Sequence, residues 1–274
     1  MGEATQIAAA LGTGLAVGIL SALAGIGGGV VMVPFMYVVY RSAPVTVSAQ
    51  TVVAHATSLG VAFVTSTFGT WHYSRVKAVA WRAAAAYAVP GILSAFLVAR
   101  LLTKVHEAHW IRGVFGVFLL VSAVDMARRA MIPHPVHHEH PPHSSGWLGL
   151  AGFFGGGLSS LLGIGGGLIA VPVLLYVGRM PVQAVAPTAL AGVCLTTLAG
   201  SIGYMTGGAG PPVSPWMVGF VDARMAVPLA IGAVTSVPLG VRLNRTLSPQ
   251  KLFWFFAATF SVIGVLLIKE GLGG

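Results

Sequence analysis

Two glycine clusters with the same spacing to a proline offer the clearest chemistry in this sequence. The motif G-I-G-G-G occupies residues 25–29 and recurs at 163–167, and a proline follows each copy at the same distance, as Pro34 and Pro172. A half-helix beginning after such a cluster presents unpaired N–H groups and its positive dipole end, which bind anions. Glycine also lets an oxyanion approach the main chain closely. The candidate substrate-binding glycines are Gly25, Gly27, Gly28, Gly29, Gly163, Gly165, Gly166 and Gly167. Close helix crossing through small residues is the alternative role, and the duplication favours anion binding.

The apolar stretch after the first cluster carries hydroxyl and imidazole side chains spaced three or four residues apart. We call this set the hydroxyl stripe: Thr51, His55, Ser58 and Thr65. Residues at that spacing share one face of a helix, so the stripe is a candidate pathway lining. Because serine and threonine also bond to carbonyls of their own helix in hydrocarbon, packing is the alternative explanation. His55 is the titratable residue well inside a predicted span and is a candidate for proton coupling.

The second half carries a comparable small and polar face, with a threonine or glycine at every fourth position from Thr188 through Thr196 to Gly200. Thr188 aligns with Thr57, which neighbours the stripe, and Thr196 aligns with Thr65. We assign Thr57, Ser58 and Thr188 to the candidate substrate site, and Thr51, His55, Thr65 and Thr196 to the pathway or its coupling.

Arg100 and Arg242 occupy matching places near the ends of two apolar blocks. Snorkelling to the lipid head groups is the usual role of an arginine at such a position. Their matched positions keep open a second role, in which they guide an anion at a vestibule.

A histidine- and proline-rich tract at residues 133–143 separates the two halves. Histidine tracts bind zinc or nickel in some proteins. This one is short and has no cysteine partners, so the sequence favours a flexible linker, and we predict neither a metal site nor a cofactor.

The composition places these residues in a membrane. The chain is 56% hydrophobic and 8% charged, with a mean hydropathy of +0.87, whereas soluble domains are about 25% charged. Several apolar blocks exceed the roughly 20 residues that cross a bilayer as helix, and none alternates as a barrel strand would. The formal net charge of +9 sits at block ends, which argues against nucleic-acid binding. We therefore predict an all-α polytopic membrane protein.

The alignment of the chain with itself predicts two internal repeats. They span residues 1–128 and 147–274, joined by a connector at 129–146. Markers shared by the two halves include V-A-W-R at 79–82 against V-D-A-R at 221–224. Each half has four apolar blocks: 5–40, 45–71, 81–102 and 110–127, then 147–178, 183–206, 222–243 and 252–269.

The first block of each half is too long for one crossing, since a helix over 5–40 would measure about 54 Å against a hydrocarbon core of about 30 Å. The glycine cluster predicts a break that folds the block into a hairpin. With three further spans, each half then has an odd number of crossings. This favours inverted-topology repeats, although a single tilted, broken helix would give parallel ones.

Enzyme motifs are missing from the sequence, which has no G-x-x-x-x-G-K-[ST] loop, no H-E-x-x-H and no G-x-S-x-G. We therefore expect no catalytic residues and no enzymatic activity.

Taken together, the duplicated G-I-G-G-G…P blocks, A-T-S-L at 56–59, V-D-A-R at 221–224 and the two R-L span ends resemble the sulfite exporter (TauE/SafE) family of membrane permeases. The resemblance covers nearly the whole chain outside the connector. It implies a multi-pass permease for sulfite, sulfoacetate, another organosulfonate or a related small anion, working without ATP. The first half departs from the family pattern at Ala80, where aspartate is favoured, and at His55, where a small residue is expected.

The sequence thus predicts a secondary transporter of a small sulfur oxyanion or sulfonate in the cell inner (cytoplasmic) membrane. A proton or sodium gradient is the expected energy source, and the sequence is compatible with a homo-oligomer. Two alternatives stay open: a divalent metal-ion transporter that uses the histidine-rich connector, and a membrane assembly subunit with no transport role.

Overall fold

The computed structural model describes residues 2–105, 110–131, 145–180, 182–246 and 248–272. In this part of the chain the helices are α1 Glu3–Ala24, α2 Gly29–Tyr40, α3 Val47–Arg75, α4 Trp81–Leu102, α5 Trp110–Met131, α6 Ser145–Leu162, α7 Gly167–Pro172, α8 Val182–Met205, α9 Ala223–Thr246 and α10 Pro249–Leu272. A π-helical turn, Val173–Val177, continues α7, and a short ladder pairs β1 Met217–Val218 with β2 Val221–Asp222. The predicted connector falls largely outside the described residues, because 132–144 are among those not described.

Long apolar helices make up this fold. Five of them, among the described residues, are long and apolar enough to cross a membrane: Glu3–Ala24, Val47–Arg75, Trp81–Leu102, Ala184–Met205 and Ala223–Asn244. Gly29–Tyr40 and Gly146–Leu162 are shorter apolar helices. Large apolar side chains such as Val38 and Leu101 lie on the outside, 67% and 63% exposed, where lipid would cover them. The predicted all-α polytopic membrane fold is confirmed.

Both glycine clusters break the helix, as their composition predicts. We call residues 25–29 the first glycine break and 163–167 the second. Three glycines in each break have positive φ: Gly25 (73°), Gly27 (81°) and Gly28 (79°), then Gly163 (68°), Gly165 (78°) and Gly166 (78°). Residues with a Cβ rarely adopt this left-handed region, which explains the need for glycine here. The next helices begin at Gly29 and Gly167, the last glycine of each break.

The first break lies against α1. A methyl group on Gly28 would overlap the side chain of Val17, which lies more than one turn before the end of α1. The break thus packs against α1, and α2 adds 12 residues before it ends at Tyr40. The hairpin expected for the first apolar block stays a prediction.

Helices α3 and α8 cross at the centre of the molecule. A methyl group on Gly69 would lie 2.9 Å from Leu190, and one on Gly200 would lie 3.3 Å from Leu59. An early residue of each helix thus meets a late residue of the other, so the two helices run antiparallel. The same holds for α5 and α10, where Gly264 faces Leu120 at 3.0 Å.

The remaining long helices pair across the two halves. In α1, Gly14 and Gly18 pack against the α9 backbone at Leu229 and Ala233. In the same way, Gly152 of α6 packs against Tyr87 of α4, and Gly156 packs against Gly91. Small residues at these crossings let helix backbones approach closely, as is usual in membranes. Matching helices thus take matching partners, which is what an inverted repeat would show; the repeat and its inversion stay predictions.

Candidate functional site

The two glycine breaks touch each other in the interior. A methyl group on Gly29 would overlap the carbonyl oxygen of Gly163, and one on Gly167 would overlap that of Gly25. Between these contacts, a methyl group on Gly27 would lie 3.4 Å from the Ile164 carbonyl oxygen. The two candidate anion sites therefore form one region.

The helices that follow the two breaks begin at this meeting point, beside the carbonyl oxygens of Gly25 and Gly163. The first turn of α2 is closed by N–H groups of Val31 and Met32, which donate to the Gly28 carbonyl at 3.1 and 3.2 Å. Ile169 and Ala170 make the equivalent bonds to Gly166 at 3.1 and 2.8 Å. The described residues also form backbone hydrogen bonds in loops, turns and helix caps. None of these bonds has a glycine N–H of residues 27–29 or 165–167 as its donor. These N–H groups suit an oxyanion.

The predicted hydroxyl stripe reaches the breaks only in part. Ser58 donates to the Gly163 carbonyl at 2.8 Å, and the Cα of His55 lies 2.6 Å from where a Gly163 methyl would stand. Thr51 and Thr65 instead donate to carbonyls of α3 itself, at 2.8 and 2.9 Å. Thr51 and Thr65 thus make the bonds that packing alone would explain, whereas Ser58 and His55 contact the second break; the pathway role stays a prediction.

Thr57 and Thr188 make matching bonds that tie the two halves together. The Thr57 hydroxyl accepts from the N–H of Asp222 at 3.0 Å, and the Thr188 hydroxyl accepts from the N–H of Ala80 at 3.1 Å. Both threonines are fully buried. Each hydroxyl therefore holds the entry to a helix that belongs to the opposite half.

A second matched pair involves two tyrosines that the sequence comparison also aligned. Tyr73 donates to the Ala22 carbonyl at 2.8 Å, and Tyr204 donates to the Ser160 carbonyl at 2.9 Å. In both cases the accepting carbonyl lies near the end of the helix that precedes a glycine break. The tyrosines thus fix each break against the span that follows it in the chain.

The buried polar groups, paired glycine breaks and apolar exterior describe a membrane protein with a polar centre. A family model, "Sulfite exporter TauE/SafE", matches residues 10–267. The chain belongs to the TauE/SafE family. Membership assigns membrane transport to this chain, in agreement with the five candidate spans found among the described residues.

Known TauE/SafE-like relatives carry transporter names without a stated substrate. A probable membrane transporter protein of Methanocaldococcus jannaschii is 26% identical over 93% of this chain and 92% of its own length. One from Bacillus subtilis is 24% identical over 94% of this chain and 96% of its own length. One from Haemophilus influenzae is 24% identical over 95% and 97%. No solved structure matches this chain.

His55 has a partner that the sequence analysis missed. Its Nε2 lies 2.5 Å from the hydroxyl of Tyr37 on α2, and Phe115 of α5 packs edge-on against the imidazole. His55 is only 1% exposed. A histidine inside a span is a functional signal, but only the fold identifies Tyr37, because α2 and α3 must be docked first.

Asp222 is a second residue whose importance the sequence analysis missed. Its carboxylate is fully buried and accepts from the Tyr40 hydroxyl at 3.0 Å and the Ser214 hydroxyl at 2.6 Å. The N–H of Arg224 donates to it at 3.0 Å, and the Arg224 guanidinium lies 4.0 Å away. In the sequence, Asp222 served only as a repeat marker. The matching position in the first half is Ala80. This difference was the signal that the carboxylate has a role in the second half alone.

Arg100 and Arg242 differ in environment despite their matched positions. Arg100 is half-buried and its guanidinium donates to the carbonyl of Thr206 just beyond α8, whereas Arg242 is exposed. The Arg100 bond does not involve the glycine breaks. Guanidinium bonds to terminal carbonyls help to satisfy helix ends.

We expect Arg100→Ala to destabilise the protein by about 1–2 kcal/mol, because Thr206 loses a charged donor. Arg242→Ala, the matched control, should stay within about 0.5 kcal/mol of wild type. Thermal unfolding of both variants in detergent measures the difference. Equal effects would contradict the asymmetry seen here.

The described residues contain no cluster of metal-binding side chains that would support a metal site. No group of three or more histidine, cysteine, aspartate or glutamate residues there could hold a metal ion. The histidine tract at 133–143 lies outside the described residues.

Proposed function

We propose that this TauE/SafE family member is a secondary transporter of a small anion, sulfite or an organosulfonate such as sulfoacetate, in the cell inner membrane. The observation that carries the proposal is the direct contact between the two glycine breaks. An oxyanion there would meet main-chain N–H donors from both halves, with no side chain to keep it at a distance. The family's printed description, a sulfite exporter, supports the sulfur oxyanion as the first candidate substrate.

Transport would follow from movement of one half against the other. The bond from the Asp222 N–H to Thr57 and the bond from the Ala80 N–H to Thr188 occupy matching places in the two halves. If one of these two bonds breaks while the other is kept, two related conformations result. Rocking of two repeats around a fixed central site is the usual mechanism of such architectures. The anion would pass between the breaks as they separate.

Uptake into proteoliposomes tests this proposal against its alternatives. Purified protein should move radiolabelled sulfite or sulfoacetate under at least one imposed ion gradient, and should move neither Zn²⁺ nor Ni²⁺. Movement of metal ions alone, lost on deletion of 134–143, would establish the metal-transport alternative. Movement of neither class would favour the non-transporting assembly subunit.

Proton coupling at His55 gives a separate prediction. The contacts of this buried imidazole include the Tyr37 hydroxyl and the Phe115 ring. Tyr40, on the next turn of α2, bonds to the Asp222 carboxylate, which lies 4.0 Å from the Arg224 guanidinium. His55→Gln keeps a polar side chain but cannot take up a proton near neutral pH. We expect it to lose stimulation of sulfite uptake by a pH gradient while retaining exchange at equal pH.

His72→Gln is the control, because His72 bonds to the Phe68 carbonyl of its own helix at 3.0 Å and does not face the centre. It should respond to pH as wild type does. If His55→Gln also keeps the full response, then His55 does not couple protons, and stimulation by sodium becomes the measurement to make.

A further inference from the structure

The helix contacts distinguish the two ends of the bundle. The Arg100 guanidinium donates to the Thr206 carbonyl, and the Thr103 hydroxyl donates to the Gly207 carbonyl at 3.3 Å, so α4 and α8 end side by side. Because α3 runs antiparallel to α8, α3 begins at this same end. We call it the Arg100 end. The opposite end, where α3 stops at Arg75, we call the Arg75 end.

Three more helices take their directions from these contacts. The Phe220 N–H donates to the Tyr204 carbonyl at 3.4 Å, so α9 begins near the Arg100 end and runs toward the Arg75 end. Helix α10 starts three residues after α9 stops, and it returns to the Arg100 end. Helix α5 is antiparallel to α10, so it runs from the Arg100 end to the Arg75 end.

Helices α1 and α6 fit the same directions. In α1, Gly14 faces Leu229 and Gly18 faces Ala233, so α1 runs parallel to α9 and starts at the Arg100 end. The contacts of α6 with α4 have the same order, so α6 starts at the Arg75 end, as α4 does. The start of α1 and the end of α10 therefore lie at the Arg100 end. The end of α5 and the start of α6 lie at the Arg75 end.

Exposed cations are distributed unequally between the two ends. Among the described side chains, six are exposed at the Arg75 end, namely Arg75, Lys77, Arg82, Arg128, Arg242 and Lys251. Three are exposed at the Arg100 end, namely Arg41, Lys104 and Lys269. The Arg75 end is thus the more basic of the two surfaces that would meet lipid head groups.

Less exposed cations have partners inside the protein. At the Arg100 end, the Arg224 guanidinium lies 4.0 Å from the buried Asp222 carboxylate, and Arg100 is bonded to the end of α8. At the Arg75 end, Arg129 is 4% exposed and pairs with Asp125 at 2.7 Å. The exposed cations therefore carry the charge difference between the two ends.

We propose that the Arg75 end faces the cytoplasm, where its exposed cations bind the anionic head groups of the cytoplasmic leaflet. Membrane proteins keep an excess of lysine and arginine on the cytoplasmic side, and that leaflet carries the negative surface potential. The orientation rests on the proposed inner-membrane location. It places the start of α1 and the end of α10 outside the cytoplasm, and the end of α5 and the start of α6 inside it.

Labelling of single cysteines in spheroplasts tests this orientation. Cys194 is the one cysteine of the chain, so Cys194→Ala provides a background without a thiol. Val105, at the Arg100 end, and Val76, at the Arg75 end, are 39% and 49% exposed. A membrane-impermeant maleimide should label Val105→Cys in intact spheroplasts, and should label Val76→Cys only after detergent opens the membrane. Alkaline phosphatase fused to the C-terminus of the full chain should be active.

Other outcomes separate the orientation from the proposed function. The reverse labelling pattern, labelling of both variants in intact spheroplasts, or an inactive phosphatase fusion overturns the orientation and leaves anion transport untouched. Protein that is missing from the inner-membrane fraction contradicts the proposed location instead.

Charge replacement tests the cause of the orientation. Changing Arg75, Lys77 and Arg82 together to glutamine leaves three exposed cations at each end among the described side chains. Part of this protein should then insert in reverse, which is detected as labelling of Val76→Cys without detergent. Changing the three exposed cations of the Arg100 end to glutamine is the matched control and should leave the orientation as in wild type. Unchanged labelling in both triple variants overturns the role of the basic end.

Discussion

Gly167→Ala is expected to abolish transport and to destabilise the fold. The added methyl group would overlap the carbonyl oxygen of Gly25 and the backbone of Ile26, and backbone atoms cannot rotate away as a side chain can. The two glycine breaks would have to separate permanently. Overpacking of this kind costs about 1–3 kcal/mol, and we expect sulfite uptake to fall at least tenfold.

Gly29→Ala should behave in the same way, because its methyl group would overlap the Gly163 carbonyl from the opposite side. Gly12→Ala and Gly113→Ala serve as controls, since a methyl group at either helical position meets nothing within 4 Å. Both controls should transport normally and gain slightly in stability, as alanine favours helix over glycine. Normal uptake by Gly167→Ala would show that the contact between the breaks is not needed for transport.

Asp222→Asn is expected to have the second-largest effect, on stability first. The carboxylate accepts from Tyr40, Ser214 and the Arg224 backbone in a fully buried setting. An amide would direct N–H groups at one or more of these donors, which leaves buried polar atoms unpaired. Breaking such a network costs about 2–4 kcal/mol.

Tyr40→Phe removes one of these bonds and should cost about 1 kcal/mol. Glu3→Gln is the control, because Glu3 is exposed at the start of α1. Thermal unfolding in detergent measures all three variants. If Asp222→Asn unfolds at the wild-type temperature, the buried network does not hold the halves together.

The sequence predicted the features that depend on local chemistry. Consecutive glycines in an overlong apolar block are poor helix formers, so both breaks, and the new helices that follow them, were predictable from residue types alone. Composition was enough for the membrane fold, because apolar blocks of this length have no other stable environment. The alignment of Thr57 with Thr188 correctly singled out two residues in matching structural positions.

Features that depend on docking were out of reach. The sequence does not state that α1 packs on α9 and α4 on α6, so the contacts of Tyr37 with His55 and of Tyr40 with Asp222 were invisible. The β1–β2 ladder that positions Asp222 comprises two residues per strand, too few for a recognisable pattern.

The most direct test of the account is the position of a bound anion in an experimental structure determined with sulfite or sulfoacetate. We predict density within hydrogen-bond distance of the glycine N–H groups of residues 27–29 or 165–167. Density confined to the connector histidines at 134–143, with none at the glycine breaks, would contradict the central claim that the two breaks hold the transported anion.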